Sequence, residues 1–341
     1  MKCLDGLRAS GKTCKYRKMR RGWALELDVV IVNYNSTSYL LHCLWSIYEA
    51  RGRGAVKIFV QDNGSADDVT RIRAEFPDVI LQENSVNLGY GKAVNRGLAE
   101  CSSRYVMVLN PDTVVSKGFL EAALRYMERN PDVGILGPKI MDPNGSVQGS
   151  ARSFPTALTG LFGRTCLISR WFPGNTLSRK NLLACGSDGR SPMEVDWVSG
   201  ACMVVRKNAV DDIGLLDERF FMYWEDADWC RRMWESGWKV VYFPEACVLH
   251  HVGGSSRSDR FRTLGEFHRS AYRLFVKYAT GPKRILGPLV LWTLALRLLV
   301  VLSWHGLKKL SRPISADAGS GMLGTPSSDL RTRARYHELL K

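Results

Sequence analysis

The chain has 341 residues, 45% of them hydrophobic, so it can bury a full α/β core and is too short for three domains. Nine scattered cysteines contain no C-x-x-C pair, which argues against a disulfide framework and a cysteine-built zinc site and favours a reducing compartment. The formal net charge is +15, and much of it lies at the two ends of the chain.

Residues 1–24 form a basic N-terminal arm in which eight lysines and arginines oppose only Asp5. Such an arm can meet anionic lipid or nucleic acid. No zinc finger, RNP-type signature or aromatic-interleaved groove accompanies it, so we expect no nucleic-acid partner. No apolar stretch follows the charges, so we predict no signal peptide.

Four apolar runs, each followed by a polar turn, predict buried parallel strands at residues 27–32, 56–60, 79–82 and 105–109. Helices are predicted to follow the first run near Ser38, where the polar residues 33–36 can supply the cap, and the third run at residues 92–100. The alternation of strands and helices indicates right-handed βαβ crossovers and a mostly parallel sheet.

Polar residues stand at the carboxyl end of every predicted strand, where open α/β sheets bind their ligands. We therefore expect one crevice formed by Asn33, Tyr34, Asp62, Asn87, Gly89, Asn110 and Asp112. Each motif is weak alone, and the sequence around Gly89 lacks the third glycine of a dinucleotide site. Asp112 follows a stiff proline and offers the oxygen ligand that a hard cation prefers.

The middle of the chain is less regular. Residues 133–140 predict another strand, residues 195–205 predict one strand with Ser199 and Gly200 at its centre, and residues 207–213 predict a short helix. Between these elements, residues 146–193 lose the periodic pattern. Long irregular insertions in compact domains are usually functional or mobile, so we expect this one to shape an acceptor pocket.

The stretch at residues 220–256 places acids among aromatic residues and ends a hydrophobic strand in two histidines. A helix at residues 227–236 would bury Trp229, Met233 and Trp234, with Glu225 and Asp226 in its first turn. Loss of solvation raises the proton affinity of a carboxylate, which makes Asp226 the candidate general base. The alternative is an ordinary acidic helix start.

As an ordered set, six motifs resemble the family 2 glycosyltransferases, which have the GT-A fold. They are QDNGS, NLGYGKAVNRG, NPD, WVSGACMVV, LDERFFMYWEDADW and HHVGGSS, and the resemblance runs from about residue 27 to 256. Residues 136–155 are similar, more narrowly, to bacterial rhamnosyltransferases of cell-wall and surface polysaccharides. The fold expected from the resemblance is an α/β GT-A domain at residues 25–256.

The resemblance implies an inverting transfer from a nucleotide sugar to a lipid-linked saccharide, and the narrower similarity implies dTDP-rhamnose as the donor. Its donor side would include Asn33, Tyr34, Asp62, Asn87, Gly89, Lys92, Asn110 and Asp112, with Asp62 on the base. Asp112 and His250 would hold Mg²⁺ or Mn²⁺. Asn110 stands where the family's D-x-D motif has its first acid. The H-x-x-G-x-S pattern fits His251 as well as His250. Asp226 would be the base, and Trp197, Gly200 and Glu225 would lie on the acceptor side.

Two alternatives stay open at this point. The donor could be another hexose or a galactofuranose, since pocket shape decides sugar selectivity. A protein of a different class, a basic module that binds membrane or nucleic acid, could also have kept the fold and lost catalysis.

Residues 257–310 are predicted to be basic and apolar helices that associate with a membrane, and residues 311–341 a flexible tail. The apolar run at residues 289–304 spans about 24 Å as a helix, short of a hydrocarbon core of about 30 Å. Basic residues flank both of its ends, which disfavours a single span. We expect an in-plane or re-entrant helix on anionic lipid at the cytoplasmic face of a bacterial inner membrane. The alternative is a helix packed into the core.

Overall fold

A computed structural model describes residues 26–51, 55–155, 183–251 and 260–310. The predicted basic arm at residues 1–24, the flexible tail at residues 311–341 and the centre of the irregular insertion lie outside the described residues. Gly253 and Ser255 of the histidine motif lie outside them as well.

The first half of the molecule is a parallel sheet with the strand order β3-β2-β1-β4. Its strands confirm the four predicted ones: β1 (Glu26–Asn33), β2 (Ala55–Asp62), β3 (Ile80–Glu83) and β4 (Tyr105–Leu109). The connecting helices are α1 (Thr37–Ala50), α2 (Thr70–Glu75) and α3 (Tyr90–Glu100). Strand β1 is buried along nearly its whole length because helices cover both faces of the sheet.

The second half extends this sheet. The elements in chain order are β5 (Thr113–Val115), α4 (Phe119–Arg129), β6 (Val133–Met141), β7 (Ala151–Arg152), β8 (Met193–Glu194), β9 (Trp197–Val198), β10 (Cys202–Arg206), α5 (Lys207–Ile213), α6 (Glu225–Glu235) and β11 (Lys239–His250). Strand β10 lies between β4 and β6 and is antiparallel to both, whereas β11 is parallel to β6. Strands β5, β8 and β10 run against the other six strands of the sheet, so the predicted mostly parallel sheet is confirmed.

Alternate residues of β1 enter two separate apolar layers, as the two-residue period of a strand requires. Val29 and Ile31 pack with α1 and α4, and Val30 and Val32 pack with α3 and α6. The predicted buried residues Trp229 and Met233 belong to the second layer, so α6 is fixed against the sheet.

The structure corrects two expectations. Residues 195–205 are not one strand, because β9 pairs with β7 in a small second sheet while β10 joins the main sheet. The chain turns between them because the Ser199 amide donates to the Ser150 carbonyl and the Asn110 amide donates to the Ala201 carbonyl. At the start of α1, the Ser36 hydroxyl donates to Asn33 and does not cap the helix.

Two helices follow the sheet, α7 (Arg260–Tyr278) and α8 (Gly287–Leu310), with a 3₁₀ turn at Gly281–Leu286 between them. Helix α8 packs against α7 and leaves most of its surface open. Only 11% of the apolar stretch Gly281–Ser303 is buried, which does not fit a helix of the core, and by length and composition this stretch could cross a membrane.

Candidate active site

A cleft opens at the carboxyl ends of the parallel strands, where the sequence predicted a crevice. Four predicted residues line it: Tyr34, Asn87, Gly89 and Asn110. The other lining residues come from the same loops, from the segment before α6 and from α7: Val32, Asn63, Tyr90, Pro111, Phe221, Met222, Arg262, Thr263 and Glu266. The C-terminal helix α7 therefore forms one wall of the cleft.

Asn33 and Asp62 are paired neighbours at the ends of β1 and β2. The Asn33 amide donates to Asp62 Oδ1 over 2.8 Å, and the Ser65 amide donates to Asp62 Oδ2 over 3.0 Å. Asp62 is buried, and its oxygens hold the turn after β2. The next residue, Asn63, lines the cleft and donates from Nδ2 to Asn87 Oδ1 over 3.0 Å, so it connects the loops after β2 and β3.

Gly89 brings the start of α3 against the segment before α6. Its φ of +89° favours glycine, and a Cβ atom there would lie 2.6 Å from the Phe221 carbonyl oxygen. The Tyr90 amide donates to that same carbonyl over 2.7 Å. This close approach closes one side of the cleft, so a side chain at position 89 would force the two loops apart.

Tyr90 joins the donor side of the cleft to α6. Its hydroxyl donates to the Gly200 carbonyl over 3.0 Å. Burial raises the pKa of Tyr90 well above its usual value, and the charges of Glu225, Asp226 and Asp112 raise it further. The hydroxyl thus stays protonated and can donate this hydrogen bond.

Asp112 and His250 face each other, with 3.2 Å between Asp112 Oδ1 and His250 Nε2. Gln148 fixes the imidazole: its Nε2 donates to Asp142 and to the His250 carbonyl, so its Oε1 is left to accept from His250 Nδ1 over 3.1 Å. Gln148 thus holds Nδ1, and Nε2 is the ring nitrogen that faces the Asp112 carboxylate. An imidazole nitrogen opposite a carboxylate oxygen, with the other ring nitrogen held by a side-chain amide, is a ligand pair that a divalent cation can use.

His251 differs from His250 in its surroundings. Its ring packs on Tyr39 with 5.7 Å between centroids, and its backbone amide donates to the Asp112 carbonyl over 2.9 Å. Burial lowers the pKa of His251 below its usual value. Of the two histidines, His250 is the one whose ring nitrogen faces the Asp112 carboxylate.

Asp226 lies in the first turn of α6, partly exposed beside Gly200. Its Oδ2 accepts from the Gly200 amide over 2.9 Å, and its Oδ1 accepts from the Ala227 amide over 2.8 Å. The surrounding protein atoms remove water and raise the pKa of Asp226, while the two amides and Arg152 oppose that rise. A Cβ atom at Gly200 would meet Asp226 Cβ at 3.4 Å, so glycine keeps the carboxylate accessible.

The remaining predicted residues lie around these groups. Glu225 is buried beside Asp226, and Trp197 is buried with its indole nitrogen donating to the Ser153 carbonyl over 3.0 Å. The Trp197 ring packs on Trp224 with 6.0 Å between centroids. Lys92 is half exposed on α3, with its ammonium 3.9 Å from Glu218, and it is not among the residues that line the cleft.

Sequence patterns did not identify Asn63, Tyr90, Gln148 or the cleft residues of α7. Asn63 lies in QDNGS, where Asp62 was the predicted site residue, and Tyr90 lies in NLGYGKAVNRG, where Gly89 was predicted. Gln148 contacts a histidine 102 positions away, and only the folded chain brings the two together. For the α7 residues no local signal exists, because they approach the cleft from the far end of the chain.

The family model described as "Glycosyl transferase family 2" matches residues 28–197. The chain is 36% identical over 260 residues to the N-acetylglucosaminyl-diphospho-decaprenol L-rhamnosyltransferase of Mycobacterium tuberculosis, which covers 72% of this chain and 82% of that protein. It is 28% identical over 224 residues to the low-salt glycan biosynthesis hexosyltransferase Agl10 of Haloferax volcanii, covering 64% of each.

Among solved structures, the crystal structure of GalNAc-T7 with UDP, GalNAc and Mn²⁺ superposes with a TM-score of 0.57 at 16% sequence identity. The match covers 76% of this chain and 49% of that one, so the present chain spans about half of its length. At this identity the similarity concerns the fold.

Proposed function

The chain belongs to glycosyltransferase family 2 and has the GT-A fold, and from this premise we propose that it transfers L-rhamnose from dTDP-rhamnose to a lipid-linked saccharide with inversion. The M. tuberculosis relative supports the transferred sugar and the acceptor, because its name specifies an L-rhamnosyl group and an N-acetylglucosaminyl-diphospho-decaprenol acceptor. Another hexose or galactofuranose remains the alternative donor, to be decided by a donor screen.

The observation that supports this function most directly is the environment of Asp226. Two backbone amides fix its carboxylate, and its pKa is raised by the loss of water. A carboxylate that is oriented and partly desolvated is a stronger base than one in water. It is also partly exposed, so a substrate hydroxyl can reach it.

In the proposed reaction, the acceptor hydroxyl loses its proton to Asp226 as its oxygen attacks the anomeric carbon. The new glycosidic bond forms on one face while the bond to the diphosphate breaks on the other. The nucleoside diphosphate leaves with the bonding electrons, and the anomeric configuration inverts. The Gly200 amide holds the Asp226 carboxylate, and the Tyr90 hydroxyl holds the Gly200 carbonyl, so the base is fixed relative to the donor cleft.

Asp112 and His250 would hold Mg²⁺ or Mn²⁺, with Gln148 orienting the imidazole. A divalent cation at this position supplies positive charge to the departing diphosphate. Asn33, Tyr34, Asn87, Gly89, Lys92 and Asn110 complete the proposed donor side, and Asp62 supports it through Asn33. Trp197, Gly200 and Glu225 belong to the proposed acceptor side.

A turnover assay tests this function. The purified protein is incubated with Mg²⁺ or Mn²⁺ and a panel of nucleotide sugars, and release of the nucleoside diphosphate is followed together with transfer to a lipid-linked acceptor. Asp226→Asn should lower kcat by about 10²–10⁴-fold and leave donor binding unchanged, because only the proton acceptor is lost. Asp211→Asn, at an exposed ion pair on α5, is the matched control.

NMR of the product gives the stereochemical outcome. Inversion is expected, and a retained anomeric configuration would refute the mechanism. Salt-sensitive binding to lipid or nucleic acid without turnover would favour the non-catalytic module.

The metal assignment has its own test. Gln148→Leu removes the group that holds His250 Nδ1, so the Mn²⁺ concentration for half-maximal binding should rise about 10–100-fold. Direct Mn²⁺ binding is measured by electron paramagnetic resonance, independently of turnover. Asn144→Leu, in the exposed turn nearby, is the control. Unchanged affinity in Gln148→Leu would argue against His250 as a ligand.

A further inference from the structure

A second groove lies between α6 and the two C-terminal helices, apart from the donor cleft. Its walls are mostly apolar, with Trp224 and Ala227 at α6, Leu274 and Tyr278 on α7, and residues of α8 opposite. We propose that this groove binds the diphosphate and the adjoining lipid chain of the acceptor. The inference rests on the proposed transfer to a lipid-linked acceptor and adds the surface that would recognise it.

The groove lies next to the proposed base. Trp224 and Ala227, which line it, are two positions before and one position after Asp226. Phe221 and Met222, a few residues earlier in the same segment, line the donor cleft instead. The segment thus separates the two sites. In-line attack needs the acceptor oxygen and the departing diphosphate on opposite faces of the anomeric carbon, and two separate sites allow that arrangement.

Trp224 supplies an unused hydrogen-bond donor at this wall. Its indole Nε1 is buried and has no acceptor among the described residues. Trp224 and Tyr223 both have left-handed backbone conformations, with φ of 70° and 67°. Such conformations cost free energy in residues other than glycine and are concentrated at functional sites. A bound acceptor that moves the Trp224 side chain would supply the missing partner for its indole N–H.

The charges along the groove match an anionic headgroup. Arg231 and Lys283 line it together with the apolar residues. The Arg231 guanidinium stacks on the Tyr278 ring at 3.8 Å and pairs with Glu235 over 3.1 Å at its Nε, and Lys283 is exposed within the 3₁₀ turn. Guanidinium and ammonium groups bind the oxygens of a diphosphate through charge-assisted hydrogen bonds.

The other face of α8 explains how a lipid chain would reach the groove. Val290 and Leu294 face the groove, whereas Leu289, Trp292, Leu296 and Leu299 form an exposed apolar stripe on the same helix. An exposed apolar stripe of this kind suits the acyl region of a bilayer. With that stripe in the membrane, a lipid chain enters the groove beside α8 without crossing water.

Thr293→Trp tests the groove, because Thr293 lines it and the larger side chain would fill it. The probes are two N-acetylglucosaminyl diphosphates, one with a decaprenyl chain and one with a short two-isoprene chain. Thr293→Trp should raise KM for the long-chain probe about tenfold relative to KM for the short-chain probe. Val276→Trp, at an exposed position on α7 that does not line the groove, is the matched control and should leave this ratio unchanged. Ala271→Phe repeats the test from the α7 wall.

Lys283→Glu tests the headgroup at an exposed position where folding is not at risk. It should raise KM for both diphosphate probes about tenfold relative to an alkyl N-acetylglucosaminide that lacks the diphosphate. Lys57→Glu, on the exposed edge of β2, is the control. Equal effects on all probes would overturn the groove assignment.

The wild-type protein separates the two proposals. Suppose that wild type glycosylates the long-chain probe but the groove variants change KM equally for all probes. That result would refute the groove assignment and leave the proposed acceptor standing. Failure of wild type to use any lipid-linked probe while it glycosylates a lipid-free saccharide would refute the proposed acceptor.

Discussion

Glu225 and Asp226 are adjacent acids in different surroundings. Asp226 accepts two backbone hydrogen bonds, which favour its charged form, whereas Glu225 Oε2 is buried and has no hydrogen-bond partner among the described residues. Burial raises the pKa of Glu225 well above its usual value, and the charges of Asp226 and Asp228 raise it further. We therefore expect Glu225 to hold a proton under conditions in which Asp226 accepts one.

The stability of the protein should report this proton. Because the pKa of Glu225 is higher in the folded chain than in the unfolded chain, the folded state binds the proton more tightly. The resulting stabilisation is present at pH below the unfolded pKa and is lost as pH rises through the folded pKa. Glu225→Gln cannot titrate, so its free energy of unfolding should fall less with rising pH than that of wild type, by about 1.4 kcal/mol per unit of pKa shift.

The measurement is the free energy of unfolding by urea between acidic and alkaline pH. Glu235→Gln, an exposed acid at the end of the same helix, should leave the pH dependence as in wild type. If Glu225→Gln keeps the wild-type slope, Glu225 is ionised in the folded protein and the interpretation is wrong.

The sequence could predict which residue types gather at the cleft, because strand ends follow from local patterns. It could not predict the partner of each side chain. Asp62 and Asn63 are both polar and adjacent, and only the register of β1 with β2 turns Asp62 toward Asn33 and Ser65 and leaves Asn63 in the cleft. Local patterns likewise could not distinguish His250 from His251, which differ in what the fold brings opposite them.

At the level of elements, a buried carboxylate joins α6 to α7. Asp228 is fully buried and accepts from Arg232 over 3.0 Å, from the Tyr278 hydroxyl over 2.7 Å and from Lys277 over 2.5 Å. Arg232 is on α6 itself, and the other two donors are on α7. Since α7 also lines the donor cleft, Asp228 connects the helix of the proposed base to a wall of that cleft.

Asp228→Asn should break this connection. The neutral amide of the variant side chain cannot balance the positive charges of Lys277 and Arg232. We therefore expect the free energy of unfolding to fall by about 3 kcal/mol. Urea denaturation in detergent measures the loss. Asp211→Asn, which removes an exposed ion pair with Lys207, should cost at most about 1 kcal/mol. Equal losses in the two variants would mean that Asp228 does not fasten α7 to α6.

Strands β1 to β4 and helix α5 were predictable because each depends on its own hydrophobic pattern. The division of residues 195–205 into β9 and β10 was not, since both halves have strand-like sequences and their partners, β7 and β4, are distant in the chain. The role of α7 at the cleft was hidden for the same reason. The domain division expected at residue 256 would in fact separate α7 from a cleft that it lines.

At the scale of the whole molecule, α8 presents an apolar surface to the outside. Its sequence predicted an apolar helix, and the fold shows that the apolar stripe faces outward: Trp292 is 62% exposed and Leu299 is 61% exposed. The proposed groove lies on the inner face of the same helix. A membrane at the stripe would therefore bring a lipid-linked acceptor beside the proposed base, at the cytoplasmic face proposed for this enzyme.

Charges on the stripe should detach the protein from membranes. Burying one large apolar side chain is worth about 1.5–3 kcal/mol, so Trp292→Glu combined with Leu296→Glu should weaken binding to anionic vesicles by at least about 100-fold. Co-flotation with vesicles measures this binding. Val276→Glu, at an exposed apolar position on α7, is the matched control and should float like wild type. Because no described residue of α8 lines the donor cleft, the double variant should still bind the nucleotide. A double variant that floats normally, or a wild type that stays soluble after lysis without detergent, would show that α8 does not hold the enzyme on the membrane.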